Sequence, residues 1–398
     1  MNVQSPKYYS GEFNVMLNFI CNTLQQSEWN ILPHTIQTIR KKYTSESTET
    51  INHLIDLALG MHKADLSGEY EELQPWLFTK QTFEQCSAPD ICNHHMQRLQ
   101  IQGQTILEIC TGSGMDAYAA MKLGASSVKT IEKEESIAQM AIANFEAHSL
   151  PVNVLRGDAE HMQLPTADIL WADPSRREFK SERTSLFKHY APDLEWLVSQ
   201  AREYKRAGIK IAPGEDIEGD FSREFIGYGR ECREQILWFS CDIPDGTVTL
   251  VDKEISFYPT NKELPKLIDI DKVSTSMTLV EPHPALIRGE LSSFYAEHNI
   301  TVFDRSIAYG IAENIIEQSA FFSRFDILHS APFNKNELQE LIYAYEWNAE
   351  TEIKKRGFPV LPDEMRRKLN FVKGSKKKGV IILTRSEDKH YMFLCNRL

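Results

Sequence analysis

The sequence predicts an α/β protein built around a parallel β-sheet with helices on its faces. First, short apolar runs alternate with helical stretches between residues 105 and 250, the pattern of repeated strand–helix–strand units. Second, the first apolar run leads into a turn that contains Gly112 and Gly114, and a helix of small residues follows. Third, the flanks differ in texture: residues 1–75 show helical spacing, and the chain after residue 257 mixes short strands with helices.

The central sheet is predicted strand by strand. Helical stretches at 115–123, 134–148 and 192–204 separate its strands. Two further apolar runs, 234–240 and 246–252, lie close enough in the chain to form an antiparallel pair, which completes a seven-stranded sheet. The five predicted parallel strands are TILEIC (105–110), SVKTIE (127–132), VNVLR (152–156), DILWAD (168–173) and IKIA (209–212).

Changes in the spacing of apolar residues and in charge divide the chain into four predicted domains. Apolar residues recur at helical spacing in FNVMLNFICNTL and in INHLIDLALGMH, whereas strand patterns begin after Trp76. The predicted domains are a helical N-terminal domain (1–75), the α/β domain (76–256), a small α+β unit (257–330) and a second, basic α+β unit (331–398).

Composition and net charge limit the classes of function that the chain can have. A net charge of −12 argues against binding nucleic acid through overall charge, although it is compatible with a local basic module. The seven cysteines are scattered and form no C-x-x-C pair, which predicts free thiols in a reducing compartment and no metal site. No basic segment followed by an apolar core begins the chain, and no run of about 18 apolar residues occurs, so we expect a cytoplasmic protein with no membrane partner.

The glycine turn predicts a nucleotide-type ligand. The segment GSGMDA (112–117) fits the pattern G-x-G-x-x-G/A, follows a strand and opens a helix, and Glu132 lies at the end of the next strand. Glycine lets the backbone approach a ligand closely, and the acid accepts hydrogen bonds from ribose hydroxyls. The pattern alone fits a dinucleotide as well as any other adenosine cofactor.

Three further features favour S-adenosylmethionine over a dinucleotide. Glu108 lies inside the first strand beside the turn, where a carboxylate repels a pyrophosphate and attracts an ammonium and a sulfonium group. After the third strand, Asp158 can accept from an adenine amino group and the N–H of Ala159 can serve a ring nitrogen. The fourth strand ends in DPSRR (173–177), where many methyltransferases receive the target nitrogen. A dehydrogenase and a domain without a ligand are the alternatives.

Together these motifs resemble the class I S-adenosylmethionine-dependent methyltransferases, and among them the bacterial methyltransferases with a THUMP-like domain. The resemblance implies a Rossmann-like seven-stranded sheet, a ferredoxin-like unit at 257–330 and a THUMP-like module at the C-terminus. In this family a second proline often stands in the place of Ser175, and aspartate is more usual than Glu108. The segments that carry the resemblance are WLFTKQTFEQCS (76–87), ILEICTGSGMDA (106–117), DPSRR (173–177) and the closing segment 352–385.

The resemblance also implies a set of cofactor contacts. Gln85 and Ser87 are implied to approach the cofactor from the segment that precedes the fold. The predicted cofactor-binding residues are Gln85, Ser87, Glu108, Thr111, Gly112, Gly114, Asp116, Glu132, Lys133, Asp158 and Ala159.

The end of the fourth strand is the predicted methyl-acceptor site. Methyl transfer from a sulfonium depends on binding and in-line orientation more than on acid–base catalysis. Asp173 and Pro174 are the predicted catalytic residues, because the carboxylate and the carbonyl can accept hydrogens from an amine or a ring nitrogen and align its lone pair. Arg176 and Arg177 can clamp a phosphate or carboxylate of the substrate. The alternatives are a strand-end turn at Asp173 and a solvated loop at the arginines.

Several other side chains near these motifs are predicted to have structural roles. Cys110 and Trp171 are predicted to be core residues, and Trp76 and Phe78 to pack in the core or stack near the cofactor. Asn144, late on its predicted helix, is expected at the surface or in helix packing.

A basic segment near the C-terminus reverses the charge of the chain locally. Ten basic residues lie between Lys354 and Lys378, and Asp363 and Glu364 are the acids in that interval. Such a concentration of positive charge is the footprint expected for phosphate backbones, so Lys376, Lys377 and Lys378 are predicted to contact the substrate. THUMP modules elsewhere deliver RNA, which suggests tRNA or rRNA by analogy. The alternative is a solvated face that keeps the module soluble.

The resulting interpretation is a methyltransferase that modifies a base nitrogen in structured RNA and needs no metal. Two alternatives remain. The first is a methyltransferase that acts on a small molecule or a protein, and the second is a catalytically silent protein that binds S-adenosylmethionine and RNA.

Overall fold

The computed structural model describes residues 11–176, 190–260, 263–313 and 316–398. Its contacts divide the chain into two compact units. The first unit comprises the described residues up to Ile211, with Glu215–Ser222 and Ile236–Asp242. The second comprises Ala212–Gly214, Arg223–Gln235 and the described residues from Ile243 to Leu398. The finer division into four domains stays a prediction.

The first unit begins with helices, as the sequence predicts. Local signals set their limits: Ser47 caps α3 by accepting a hydrogen bond from the N–H of Thr50, and Gly68 ends it in the left-handed conformation. A core of leucine and isoleucine side chains, Leu24 and Leu54 among them, holds these helices together. Within the described ranges, we find no helix with the length and apolar character needed to cross a bilayer. The helices are α1 (Gly11–Gln26), α2 (Pro33–Lys42), α3 (Thr48–Ser67), α4 (Lys80–Gln85) and α5 (Pro89–Leu99).

A parallel sheet with helices between its strands follows in the first unit. All five predicted parallel strands are present, and their order is β7–β4–β1–β2–β3. Four of these strands are mostly buried, as expected for a parallel sheet with helices on both faces, whereas the strand Asn153–Arg156 at the end of the order is exposed at both of its terminal residues. The elements are β1 (Thr105–Ile109), α6 (Met115–Lys122), β2 (Ser127–Glu132), α7 (Glu135–Ala147), β3 (Asn153–Arg156), β4 (Ile169–Ala172), β5 (Ser175–Arg176), β6 (Tyr190–Ala191), α8 (Leu194–Ala201) and β7 (Arg206–Ile211).

The next four strands correct one prediction. They are β8 (Ser222–Tyr228), β9 (Glu231–Phe239), β10 (Thr247–Leu250) and β11 (Ile255–Phe257). In the first unit the second half of β9 extends the sheet beside β7, and in the second unit the order is β9–β8–β10–β11.

The predicted antiparallel pairing of 234–240 with 246–252 is therefore wrong, because β8 lies between these strands and pairs in parallel with β10. Two features hid β8 from the sequence analysis. Its second and third residues, Arg223 and Glu224, are charged, and a tight turn with Gly229 at a positive φ of 62° joins it directly to β9.

The rest of the second unit is a six-stranded sheet with helices. Its order is β13–β12–β14–β17–β16–β15, and β14 runs across the predicted boundary between residues 330 and 331. Lys354 on β15, at one end of this order, forms an ion pair of 2.7 Å with Glu281 on β12, the second strand from the other end. The elements are β12 (Thr278–Pro282), α9 (Pro284–Arg288), α10 (Leu291–Glu297), β13 (Gly310–Ala312), β14 (Phe322–Pro332), α11 (Lys335–Ala344), β15 (Glu352–Lys355), α12 (Pro362–Arg367), β16 (Val380–Ser386) and β17 (Lys389–Arg397).

Candidate functional site

The turn between β1 and α6 has the geometry of a ligand-binding loop. Gly112 and Gly114 have φ angles of 55° and 89°, in the left-handed region that glycine adopts most readily. A Cβ atom on Gly114 would lie 2.5 Å from Cζ of Phe145, whereas one on Gly112 would meet no atom within 4 Å. Gly114 is thus required by the packing of α6 on α7. Gly112 faces open space, where a ligand can approach the backbone.

Glu132, at the end of β2, lies against this turn. Its Oε2 accepts a hydrogen bond of 3.1 Å from the N–H of Gly112, and its Oε1 accepts one of 3.0 Å from the N–H of Glu134. Burial raises the pKa of this carboxyl, and the two backbone donors oppose that effect. The carboxylate is therefore fixed beside the glycine turn, where it can accept from ligand hydroxyls.

Asp158 follows β3 and begins the short 3₁₀ helix Ala159–His161. Its Oδ1 accepts from the N–H of Glu160 at 3.2 Å, and its Oδ2 accepts from Nζ of Lys133 at 3.0 Å. The hydrogen bond from Lys133 lowers the pKa of Asp158, so this carboxyl is ionised near neutral pH. Ala159 is buried behind it. In the structure Lys133 is thus the ion-pair partner of Asp158.

Glu108, in β1, is the most deeply buried acid of the site. The side chain is 2% exposed, and its Oε2 has no hydrogen-bond partner among the described residues. Burial raises the pKa of Glu108 well above its usual value, and the nearby acids Asp116, Asp173 and Glu132 raise it further. A cation bound here would relieve this repulsion and favour the ionised carboxylate.

Asp116, in the first turn of α6, points to a buried histidine. Its Oδ1 lies 2.9 Å from Nδ1 of His95, whose ring stacks on Trp171 with a centroid distance of 4.4 Å. Cys92 lies one helical turn from His95, and donor atoms of Cys92, His95 and Asp116 all lie within 4.8 Å of one another. The sequence analysis missed this cluster because Asp116 lies 21 residues from His95 in the chain. The expectation that no metal binds stays a prediction.

Asp173 lies directly after β4 and forms an ion pair that the sequence analysis missed. Its Oδ2 lies 2.8 Å from Nζ of Lys210, on the neighbouring strand β7. The same ammonium donates to Oγ of Ser87 at 3.0 Å and to the carbonyl of Gln85 at 3.2 Å. One lysine thus joins the predicted catalytic acid to two predicted cofactor-binding residues. Its signal in the sequence is the single charge in the apolar run IKIA.

The residues directly after Asp173 pair with a second short strand. Pro174 is buried, and Ser175–Arg176 pairs with Tyr190–Ala191 as two short antiparallel strands. Arg176 is exposed, and its Nη2 lies 3.3 Å from a carboxylate oxygen of Glu215. The intervening residues 177–189, with the predicted substrate contact Arg177, lie outside the described residues.

Asn144 is fully buried, so of its two predicted locations, the surface and helix packing, the structure excludes the surface. Its side chain ties two parts of the site together. Its Oδ1 accepts from the N–H of Leu77 at 2.7 Å, and its Nδ2 donates to the carbonyls of Leu77 and Ser113 at 3.0 and 3.1 Å. Asn144 thereby holds the segment before the fold against the glycine turn. A lone polar residue in a helix carries no sequence signal that separates this role from surface exposure.

The remaining predicted positions near the turn are closely packed. Thr111 is buried, and its hydroxyl has no hydrogen-bond partner among the described residues. Trp76, Phe78 and Trp171 are core residues. Burial raises the pKa of the Cys110 thiol well above its usual value, which argues against a nucleophilic role.

The predicted RNA-contacting lysines lie in the second unit, just before β16. Lys377 pairs with Glu346, and Lys378 lies 3.2 Å from a carboxylate oxygen of Glu350. Lys376 is exposed, and we find no ion pair for it within the described ranges. The sequence analysis counted only the acids inside the basic segment, so it overestimated the unbalanced charge. The substrate role of the three lysines stays a prediction.

Comparison with known proteins places both parts of the chain. Residues 322–397 match a family model described as THUMP domain-like. An uncharacterized S-adenosylmethionine-dependent methyltransferase of Mycobacterium tuberculosis (strain H37Rv) is 25% identical in an alignment of length 333 that covers 79% of this chain and 88% of that protein. A histone-arginine methyltransferase of Drosophila willistoni is 26% identical over 160 residues, covering 39% of this chain and 28% of that protein.

A solved structure extends the comparison to nearly the whole chain. The crystal structure of a "putative methyltransferase" from Porphyromonas gingivalis W83 aligns with 96% of this chain and 98% of its own, with a TM-score of 0.64 and 18% identity. The class I methyltransferase fold and the C-terminal THUMP-like domain predicted from the sequence are thereby confirmed. The names of the mycobacterial relatives agree with the predicted cofactor.

Proposed function

We propose that this chain is an S-adenosylmethionine-dependent methyltransferase that methylates a base nitrogen in structured RNA. The observation that carries the proposal is the set of carboxylates at the carboxyl ends of four neighbouring parallel strands. Ligands of open α/β sheets bind at this edge. The set consists of Glu108, Glu132, Asp158 and Asp173.

The residues at this edge fit the cofactor. Glu132 would hold the ribose hydroxyls and Asp158 the adenine amino group, while the open space at Gly112 admits a ligand close to the backbone. Glu108 has a buried oxygen without a partner among the described residues, and a positively charged ligand would satisfy it. When bound, the cofactor supplies a methyl group on a positively charged sulfur.

Asp173 would receive the methyl acceptor. An ionised carboxylate accepts hydrogen bonds only, so it fixes an amine by its N–H groups and leaves the nitrogen lone pair free to point at the methyl group. It then takes the proton that the nitrogen releases. Lys210 holds this carboxylate from the neighbouring strand.

RNA is the substrate class favoured by the second unit. The THUMP-like residues 322–397 contain 15 lysines and arginines and 10 aspartates and glutamates, within a chain of net charge −12. A basic module on an acidic protein is suited to phosphate backbones. The step from a THUMP-like fold to RNA is an analogy with other proteins that carry such modules.

The proposal is tested by comparing modified nucleosides in RNA from cells with and without the protein. We expect one methylated nucleoside to be missing without it, and restored by the wild type but not by Asp173→Asn. Asp168→Asn is the matched control, because Asp168 directly precedes β4 at the opposite end from Asp173. An unchanged nucleoside profile would reject RNA as substrate. Methyl label transferred from the cofactor to protein instead would support the protein-substrate alternative.

A further inference from the structure

We propose that Lys210 is a positioning residue for methyl transfer: it keeps Asp173 ionised and couples it to Gln85 and Ser87, two of the predicted cofactor-binding residues. The inference rests on the proposed function, and it adds a residue that none of the motifs includes. It is drawn from the three contacts of one ammonium group.

The register of the sheet places Lys210 beside Asp173. Strands β4 and β7 pair in parallel with Ala172 opposite Ile209, so the next residues along the two strands are Asp173 and Lys210. Ile209 and Ile211 are buried in the core below the sheet edge. Lys210 alternates with them and is 14% exposed, so its long side chain is packed along its length.

The charges around Asp173 explain why a cation is needed there. Asp173 is 27% exposed, and the buried Glu108 carboxyl and the Cys110 thiol interact with it electrostatically from β1 and the turn after it. A second acid nearby and partial burial both favour a protonated Asp173. A protonated carboxyl would donate a hydrogen bond to the acceptor nitrogen and occupy the lone pair that must be methylated. The ammonium 2.8 Å away opposes this protonation.

The other two contacts couple Asp173 to the cofactor side of the site. Ser87 Oγ and the Gln85 carbonyl accept from the same Nζ, at 3.0 and 3.2 Å. Gln85 is the last residue of α4, and Ser87 lies between α4 and α5. Asn144 anchors this part of the chain further upstream, through its hydrogen bond with Leu77. A shift of this segment would therefore move Lys210 and reorient Asp173. Binding of cofactor and orientation of the acceptor would be linked through one side chain.

The chain contains a matched control pair on the same two strands. Lys205 directly precedes β7, and its Nζ lies 2.6 Å from Oδ1 of Asp168, which directly precedes β4. Lys205–Asp168 and Lys210–Asp173 are thus the same kind of ion pair at opposite ends of the strands. Lys205→Met removes a lysine from this sheet without touching the candidate site.

The first test needs no substrate. The protein is labelled with ¹³C at its aspartate carboxyls, and Asp173 is identified by the signal that Asp173→Asn removes. We expect Lys210→Met to raise the pKa of Asp173 by about 1–3 pH units, and Lys210→Arg and Lys205→Met to leave it nearly unchanged. An Asp173 signal that titrates alike in the wild type and Lys210→Met would overturn the inference.

The second test follows tritiated methyl transfer to total RNA from cells that lack the protein. We expect Lys210→Met to lower kcat at neutral pH by about 10²-fold, because Asp173 loses its fixed orientation. The loss should grow toward acid pH, because the raised pKa of Asp173 moves the acid limb of the profile upward, and Lys210→Arg should recover both effects. An equal loss at every pH would indicate a merely structural lysine and contradict the inference. If the wild type itself transfers no label to RNA, the proposed function fails, whereas the carboxyl titration still decides the role of Lys210.

Discussion

The substitution Gly114→Ala tests whether the glycine turn is built as described. Gly114 has a φ of 89°, and the Cβ that alanine adds would lie 2.5 Å from Cζ and 2.7 Å from Cε1 of Phe145. The aromatic ring cannot yield easily, since Phe145 is buried against Trp76. Both the backbone conformation and the packing therefore resist the new methyl group.

The expected cost has two parts. A left-handed backbone costs a residue other than glycine about 1–2 kcal/mol. An extra methyl group in a packed core costs about 1–3 kcal/mol. We therefore expect Gly114→Ala to lower the free energy of unfolding by about 2–5 kcal/mol.

Gly112→Ala is the matched comparison, because its Cβ would meet no atom within 4 Å. Its stability cost should be the backbone part alone, about 1–2 kcal/mol. The new methyl group would project into the space proposed for the cofactor, so affinity for S-adenosylmethionine should fall at least about tenfold, or roughly 1.4 kcal/mol.

Urea unfolding and calorimetric titration separate the two effects. Urea curves followed by tryptophan fluorescence give the stability of each variant, and titration with S-adenosylmethionine gives its affinity. In a Phe145→Leu background the packing part of the Gly114→Ala cost should shrink, which a double-mutant cycle measures. The reasoning would be refuted if Gly114→Ala were as stable as the wild type, or if Gly112→Ala bound S-adenosylmethionine with the affinity of the wild type.

Three further predictions follow from buried or charged groups. Asn144→Ala should lower the free energy of unfolding by about 1–3 kcal/mol in urea titrations, because the buried backbone N–H and carbonyl of Leu77 lose their partner. Gln139→Ala, at a half-buried position of the same helix, is the control, and equal stability of the two variants would contradict the prediction. The pKa of Glu108 is raised, so below that pKa the carboxyl is protonated in the ligand-free protein and must lose its proton to pair with a cation. Affinity for S-adenosylmethionine should therefore rise with pH, and calorimetry in buffers of different ionisation enthalpy should detect proton release on binding. Binding that does not depend on pH would argue against Glu108 as the cation partner. Replacing Lys376, Lys377 and Lys378 together with glutamate should weaken RNA binding and reduce the slope of log affinity against log salt concentration, while affinity for the cofactor stays the same. An unchanged slope would show that these lysines do not contact the RNA.

Sequence patterns predicted what depends on periodicity and local turn chemistry. The five parallel strands were predicted because each is a short apolar run between helical stretches, and the glycine turn because Gly112 and Gly114 follow the first strand. The position of Glu132 beside the turn follows from the parallel register of β1 and β2, which places the ends of both strands at one edge.

Contacts between distant segments could not be predicted in the same way. Lys210 and Asp173 are neighbours only because β7 pairs with β4, and Asn144 meets Leu77 and Ser113 through tertiary packing. The strand β8 was missed because the charged residues Arg223 and Glu224 near its start break the apolar pattern. The fold accommodates Arg223 through an ion pair with Asp245 that the sequence does not reveal. Such pairs form only where two distant elements pack against each other, and a single sequence does not show which elements do so.

The central claim is that the carboxylates at the sheet edge select a positively charged sulfur ligand over a diphosphate. Calorimetric titration of the purified protein with S-adenosylmethionine and, separately, with NADH tests it most directly. The account predicts one bound S-adenosylmethionine per chain, weakened by Glu132→Gln, and no heat of binding with NADH. Binding of NADH together with no response to S-adenosylmethionine would contradict it.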